Sequence, residues 1–175
     1  MATTATTETK VKSSKSAVLL NVGSSKSPEY VRIGKGVTSL PISYNPKTTT
    51  ETYVDEDNAT TTVDSYEVSS DVEQVAIKGN KVFDFVDGIR KGLKTGSECE
   101  TDAVLVDIYD MTLTDGKGTG NGKNFRATIT ISDWTIEGGE VIKIKYKIGF
   151  NGDPTDVNVS VNNGTITVTS TSTSS

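Results

Sequence analysis

The chain of 175 residues contains no histidine. That absence excludes Ser-His-Asp and Cys-His catalysis and every histidine-ligated zinc site. Cysteine occurs once, as Cys99, so neither an internal disulfide nor a thiolate metal cluster can form. No apolar run approaches the roughly 18–20 residues of a membrane-spanning helix. Aromatic residues make up 6% and hydrophobic residues 33%. The 18 Lys and Arg are outnumbered by 23 Asp and Glu, giving a net charge of −5. This balance argues against a general nucleic-acid binder, whose phosphate contacts need clustered cations.

What the chain has in excess is Ser and Thr, about a quarter of all residues. Residues 1–16 (MATTATTETKVKSSKS) lack periodicity and an apolar signal-like core, and are expected to be an N-terminal arm on a protein made in the cytoplasm. A chain this polar either holds disordered parts or buries surface against copies of itself.

Ala17 to Val22 is a short apolar run, and Tyr30-Val31-Arg32-Ile33 reads as a short strand. Val37 to Tyr44 reads as a second, edge-like strand, limited by Pro41. Residues 47–54 (KTTTETYV) and 60–68 (TTTVDSYEV) are rich in β-branched residues and flank the acidic turn Asp55-Glu56-Asp57-Asn58. They predict a long hairpin over 45–68 in which neither strand has an apolar face. Such a ribbon is marginal alone in water. Docking on a neighbouring molecule would account for it.

Residues 80–93 predict the one helix. Val82, Val86, Ile89 and Leu93 form a stripe with Phe83 and Phe85 beside it, Asn80 is the expected N-cap, and Arg90, Lys91 and Lys94 lie in the last turn. Ala103 to Tyr109 reads as a strand covered on both faces. Residues 115–124 (DGKGTGNGKN) are expected to be a loop between strands. Phe125, Ala127, Ile129 and Ile131 alternate with polar residues. The pattern returns in 141–150, where Ile142 to Phe150 oppose Val141, Lys143, Lys145 and Lys147. Residues 156–161 and 165–169 flank Asn162-Asn163-Gly164, a tight-hairpin signal. The fold class is mainly β: a barrel or sandwich of about eight strands with one flanking α-helix and a protruding hairpin.

Candidate chemistry is sparse. The Gly-rich loop lacks the spacing of a phosphate-binding loop and leads into a strand rather than a helix. The Asp55–Asn58 turn lacks an EF-hand's glycine and terminal glutamate, since Thr60 and Tyr66 stand there. Glu98, Glu100 and Asp102 alternate along one face and fit a solvated acidic surface better than a glycosidase pair. The lysines 143, 145 and 147 fit a solvated or guarded strand better than an anion site. No catalytic, cofactor or metal residues are assigned.

Asn45-Pro46-Lys47, Tyr53-Val54-Asp55-Glu56-Asp57-Asn58-Ala59-Thr60, Lys78-Gly79 and Val82-Phe83-Asp84-Phe85-Val86-Asp87 together resemble the major tail tube proteins of long-tailed bacteriophages. Val106-Asp107-Ile108-Tyr109, the Trp134 region and Phe150-Asn151-Gly152-Asp153-Pro154 extend the resemblance over most of residues 30–155. It implies an arm (1–16), a tail tube β domain (17–161) and a Ser/Thr-rich strand and tail (162–175). It further implies a structural virion protein whose hexameric rings stack into the conduit for DNA ejection. The partners it implies are copies of the chain itself, a tape-measure protein, and terminator and distal tail proteins. DNA would pass an acidic lumen without specific binding, no membrane would be involved, and the site of action would be the phage tail. The contacts between subunits are expected on Thr48, Thr50, Thr52, Tyr53, Asp55, Glu56, Asp57, Asn58, Thr60 and Thr62. Helix packing is expected from Val82, Phe83, Val86, Ile89 and Leu93. Alternatives are an inner tube or hub protein of a contractile injection apparatus and a non-catalytic carbohydrate-binding β-sandwich.

Overall fold

Alternating apolar residues and a capped amphipathic segment organise the chain into strands around one helix. A computed structural model describes residues 9–55 and 57–169. Residues 1–8 of the expected arm, Glu56 at the hairpin tip and residues 170–175 of the expected tail lie outside the described residues. The strands are β1 (Ser16–Asn21), β2 (Tyr30–Arg32), β3 (Pro46–Glu51), β4 (Thr60–Tyr66), β5 (Ser69–Val75), β6 (Glu100–Asp107), β7 (Lys117–Thr135), β8 (Lys143–Asn162) and β9 (Thr165–Thr169). The helix α1 spans Lys81–Gly92.

Seven strands form one antiparallel sheet in the order β2-β1-β6-β7-β8-β5, with β9 added to the far half of β8. The sheet curls into a nearly closed barrel. Tyr30 of β2 and Val168 of β9 pack on the same apolar cluster where the two ends of the sheet approach. Strands β3 and β4 pair only with each other and form a separate two-stranded ribbon.

The sheet is buried on both faces. On one, Val82, Phe83, Val86 and Ile89 of α1 pack over Leu20, Ala103, Ile129 and Tyr146. On the other, Leu19, Val104, Val106, Val159 and Val161 form a second core. The four helix side chains contribute about 1.5–3 kcal/mol each. That outweighs the roughly 1 kcal/mol that Gly88 costs within the helix. Asn80 caps α1 by accepting the Phe83 N–H at 2.9 Å. Its Oδ1 also accepts from Gln74 Nε2, and Gln74 in turn accepts from the buried Tyr146 hydroxyl. This chain of hydrogen bonds ties the helix start to β5 and β8.

Several expectations need correction. The stripe does not extend to Leu93, which is 85% exposed. The chain leaves the helix there with φ 45° and ψ 44°, so the Leu93 side chain points away from the core. Val37 to Tyr44 forms no strand. It touches β5 only at the bridges Val37↔Gln74 and Ser43↔Ser69, because Pro41 has no N–H to donate.

The Gly-rich segment is not a loop. The turn is confined to Asp115 and Gly116, and residues 117–124 belong to β7. Residues 111–113 cross this part of β7 closely. A Cβ at Gly118 would lie 2.5 Å from the Thr112 carbonyl oxygen, and one at Gly120 would lie 2.6 Å from Met111 Cγ. Glycine lets the crossing strap lie flat on the strand. The strands expected at 141–150 and 156–161 are one strand, β8, which starts at Lys143 and leaves Val141 and Ile142 outside it. Gly152, Asp153 and Pro154 bulge out opposite the single residue Phe125, between the pairs Arg126↔Asn151 and Asn124↔Thr155.

Candidate functional site: the free ribbon and the groove beside the helix

A ribbon of threonines has no apolar stripe to bury, and every residue of β3 and β4 is exposed. Cross-strand pairing fixes its register, with Thr48↔Val63, Thr49↔Thr62 and Thr50↔Thr61 opposite each other and a bulge between Lys47 and Thr48. Small polar contacts reinforce it. Thr49 Oγ1 donates to Asp64 at 2.6 Å, the Thr50 and Thr61 hydroxyls lie 3.0 Å apart, and Lys47 and Glu67 pair at 3.2 Å. Such exposed contacts contribute at most about 1 kcal/mol each. They define the shape of the ribbon without anchoring it to the barrel.

The ribbon is held at its base. Asn45 has φ 40°, although a residue before proline ordinarily favours extended backbone. Its Nδ2 donates to the Glu67 carbonyl oxygen at 3.0 Å, and its own carbonyl accepts the Glu67 N–H at 3.3 Å. Tyr44 and Tyr66 meet edge to face at this point, with ring centroids 6.4 Å apart. Asparagine tolerates left-handed backbone better than most residues, and here it turns the chain out of the barrel.

The expected contact residues other than Glu56, which lies outside the described residues, all lie on this element. Thr48 and Thr50 are on β3, Thr60 and Thr62 are on β4, and Thr52, Tyr53, Asp55, Asp57 and Asn58 form the tip, all exposed. Tyr53 donates to Glu51 at 2.7 Å, and that hydrogen bond raises the phenol above its ordinary pKa. Beside it Val54 is fully exposed. An apolar pair therefore sits next to the acidic tip.

A second feature was not read from the sequence. Between the C-terminal end of α1 and β7 runs a groove of about 610 Å³, lined by Ile89, Leu93, Lys94, Cys99, Ile129 and Ile131 among others. Leu93 forms its rim in the left-handed conformation, which costs about 1–2 kcal/mol for a side chain with a Cβ. Arg90 and Lys94 line it with positive charge and Glu100 with negative. Arg90 and Lys91 both pair with Asp87 at 2.7 Å. Burial works to raise the Asp87 carboxyl, but the hydrogen bonds from Lys91 and Arg90 prevail and hold it below its ordinary value. Lys94 has no ion pair among the described residues. The helical stripe pointed to Leu93 as a core residue, and its left-handed backbone is not legible in a stripe.

The other candidates are accounted for structurally. Arg126 pairs with Glu100 at 3.0 Å and with Asp102 at 3.7 Å, so these carboxylates are not poised as an acid–base pair. Lys143 and Lys145 each lie 3.4 Å from Glu73 across the strand pair. No helix among the described residues is long and apolar enough to cross a membrane.

No protein-family model matches the chain, and no curated protein matches it. Among solved structures the chain shares its fold with a protein in the tail of an empty GTA particle, a structure computed with helical refinement and C6 symmetry. The two are 13% identical, the match covers 83% of this chain and 98% of that one, and the TM-score is 0.58. A chain of the 6-fold symmetrised anti-feeding prophage (AFP) baseplate is 10% identical over 86% of this chain and 97% of its own, with a TM-score of 0.48. The chain thus has the fold of that GTA tail protein.

Proposed function

We propose that the chain is a structural tail tube subunit that assembles into rings, and that the rings stack into a hollow tube. The observation that carries this reading is the fully exposed β3–β4 ribbon projecting from a barrel with the fold of a tail protein. The ribbon has no fully or half-buried residue in its own chain. Ordering it costs about 1–2 kcal/mol per residue in backbone entropy, and contacts with neighbouring copies offset that cost.

In this reading the ribbon residues Thr48 to Thr62 make the contacts between rings. The ring number is six, in line with the C6 symmetry of the GTA tail. The protein works in the virion after synthesis in the host, and it catalyses no reaction. The tube encloses a tape-measure protein, is closed by terminator and distal tail proteins, and conducts DNA. The net charge of −5 supports this last role, because a wall with excess carboxylate repels phosphate. Negative-stain electron microscopy of the purified protein, concentrated stepwise, tests the reading. Annular particles and tubes are expected, and a field of single particles at every concentration overturns it.

A further inference from the structure

Two surfaces of this chain stay unexplained by its own folding, and they are complementary. The ribbon tip carries Tyr53, 56% exposed, and Val54, fully exposed, beside the acidic residues Asp55 and Asp57. The groove at the end of α1 is apolar inside, with Ile89, Ile129 and Ile131, and is rimmed by the exposed Leu93 and by Lys94. An apolar tip with negative flanks thus matches an apolar slot with a positive rim. An exposed apolar patch rimmed by polar residues marks a surface for interaction with another molecule.

We infer that the ribbon tip of one copy docks in the α1–β7 groove of another, with Val54 against Ile89 and Leu93 and with Asp55 and Asp57 toward Lys94. This rests on the tube reading and says where the ribbon lands. Lys94 is the strongest electrostatic anchor, because it lines the groove and has no ion pair among the described residues. Glu98, on the turn that follows, opposes this attraction. Glu100 also lines the groove, but Arg126 pairs with it and Asp87 pairs with Arg90, which leaves Lys94 as the lining cation without an ion pair among the described residues. Donor and acceptor are different surfaces of the same chain. Such an interface is head-to-tail, and it propagates from copy to copy rather than closing as a symmetric dimer.

Cys99 lines the groove but is buried and donates to the Lys94 carbonyl oxygen, so the test replaces it by serine and places a thiol at the exposed rim residue Leu93. The variant V54C/L93C/C99S carries two thiols, one at the tip and one at the groove rim. A short bismaleimide, to which both thiols add, should link copies into a ladder on denaturing gels that extends well beyond dimers. Peptide mapping should identify an adduct that joins the tip peptide to the peptide that carries the L93C thiol. V54C/C99S should stop at dimers, because only tip-to-tip links remain. Charge reversal by K94E should lower the ladder yield about threefold to tenfold, and pairing it with D55K should restore it.

Tip-to-tip dimers alone, a purely intramolecular adduct, or no adduct overturns the docking. The two proposals fail separately. Tubes in the microscope without a tip-to-groove ladder leave the tube reading standing and remove the groove as the docking site. A ladder from a preparation that never forms tubes does the opposite.

Discussion

Asn45 and Glu67 clamp the base of the ribbon through two hydrogen bonds, Nδ2 to the Glu67 carbonyl at 3.0 Å and the Glu67 N–H to the Asn45 carbonyl at 3.3 Å. Every residue of β3 and β4 beyond that pair is exposed, so the clamp sets the direction in which the ribbon leaves the barrel. Replacing Asn45 by alanine removes the side-chain bond and disfavours the left-handed backbone. The expected result is weaker assembly with a melting temperature within about 3 °C of wild type, because the barrel core is untouched. Calorimetry and light scattering on one preparation check both halves.

Leu93 should behave in the opposite sense from an ordinary core leucine. Glycine suits its φ of 45°. Leu93→Gly is expected to leave the monomer as stable as wild type or more stable by up to about 1 kcal/mol, while reducing assembly. Denaturant titration together with a sedimentation assay measures the two effects, and a large loss of stability contradicts the placement of this residue.

The strap over β7 gives a graded prediction. At Gly118 a Cβ would meet the backbone oxygen of Thr112, whereas at Gly120 it would meet the flexible Met111 side chain. Gly118→Ala should destabilise by about 1–3 kcal/mol, and Gly120→Ala by less than about 1 kcal/mol. Equal costs in chemical denaturation would contradict the close crossing.

Acid should loosen the helix end. The folded-state pKa of Asp87 lies below its ordinary 3.8. Its contribution is therefore complete above that value and is lost as pH falls through the lower, folded value. Asp87→Asn should cost about 1–2 kcal/mol at neutral pH, and the difference from wild type should shrink below pH 3.8. Glu73, lowered by its hydrogen bond to Lys145, shifts in the same direction. Stability measured against pH for wild type and D87N tests the sign.

The helix cap, the alternation in β7, the Asn163-Gly164 turn and the free ribbon were legible because each depends on local chemistry. Strand β5 was missed because its buried positions include Ser69, Ser70 and Gln74, so no apolar alternation marks it. The glycines at 118 and 120 read as loop because the strap that requires them lies elsewhere in the sequence. Residues 141–150 and 156–161 read as two strands, yet a bulge carries Gly152, Asp153 and Pro154 within β8. On the site, the acidic tip was visible as residues in a row. The groove was not, since Ile89, Cys99 and Ile129 come together only when α1 lies on the sheet.

The central claim is that the ribbon joins one copy to the next and contributes little to the fold of its own copy. Sedimentation velocity of the wild type beside a variant lacking residues 52–58, with circular dichroism on both, tests it most directly. The account predicts large assemblies for the wild type and a folded, purely monomeric deletion variant with the same melting temperature to within about 3 °C. Assemblies of equal size from both proteins, or an unfolded deletion variant, would contradict it.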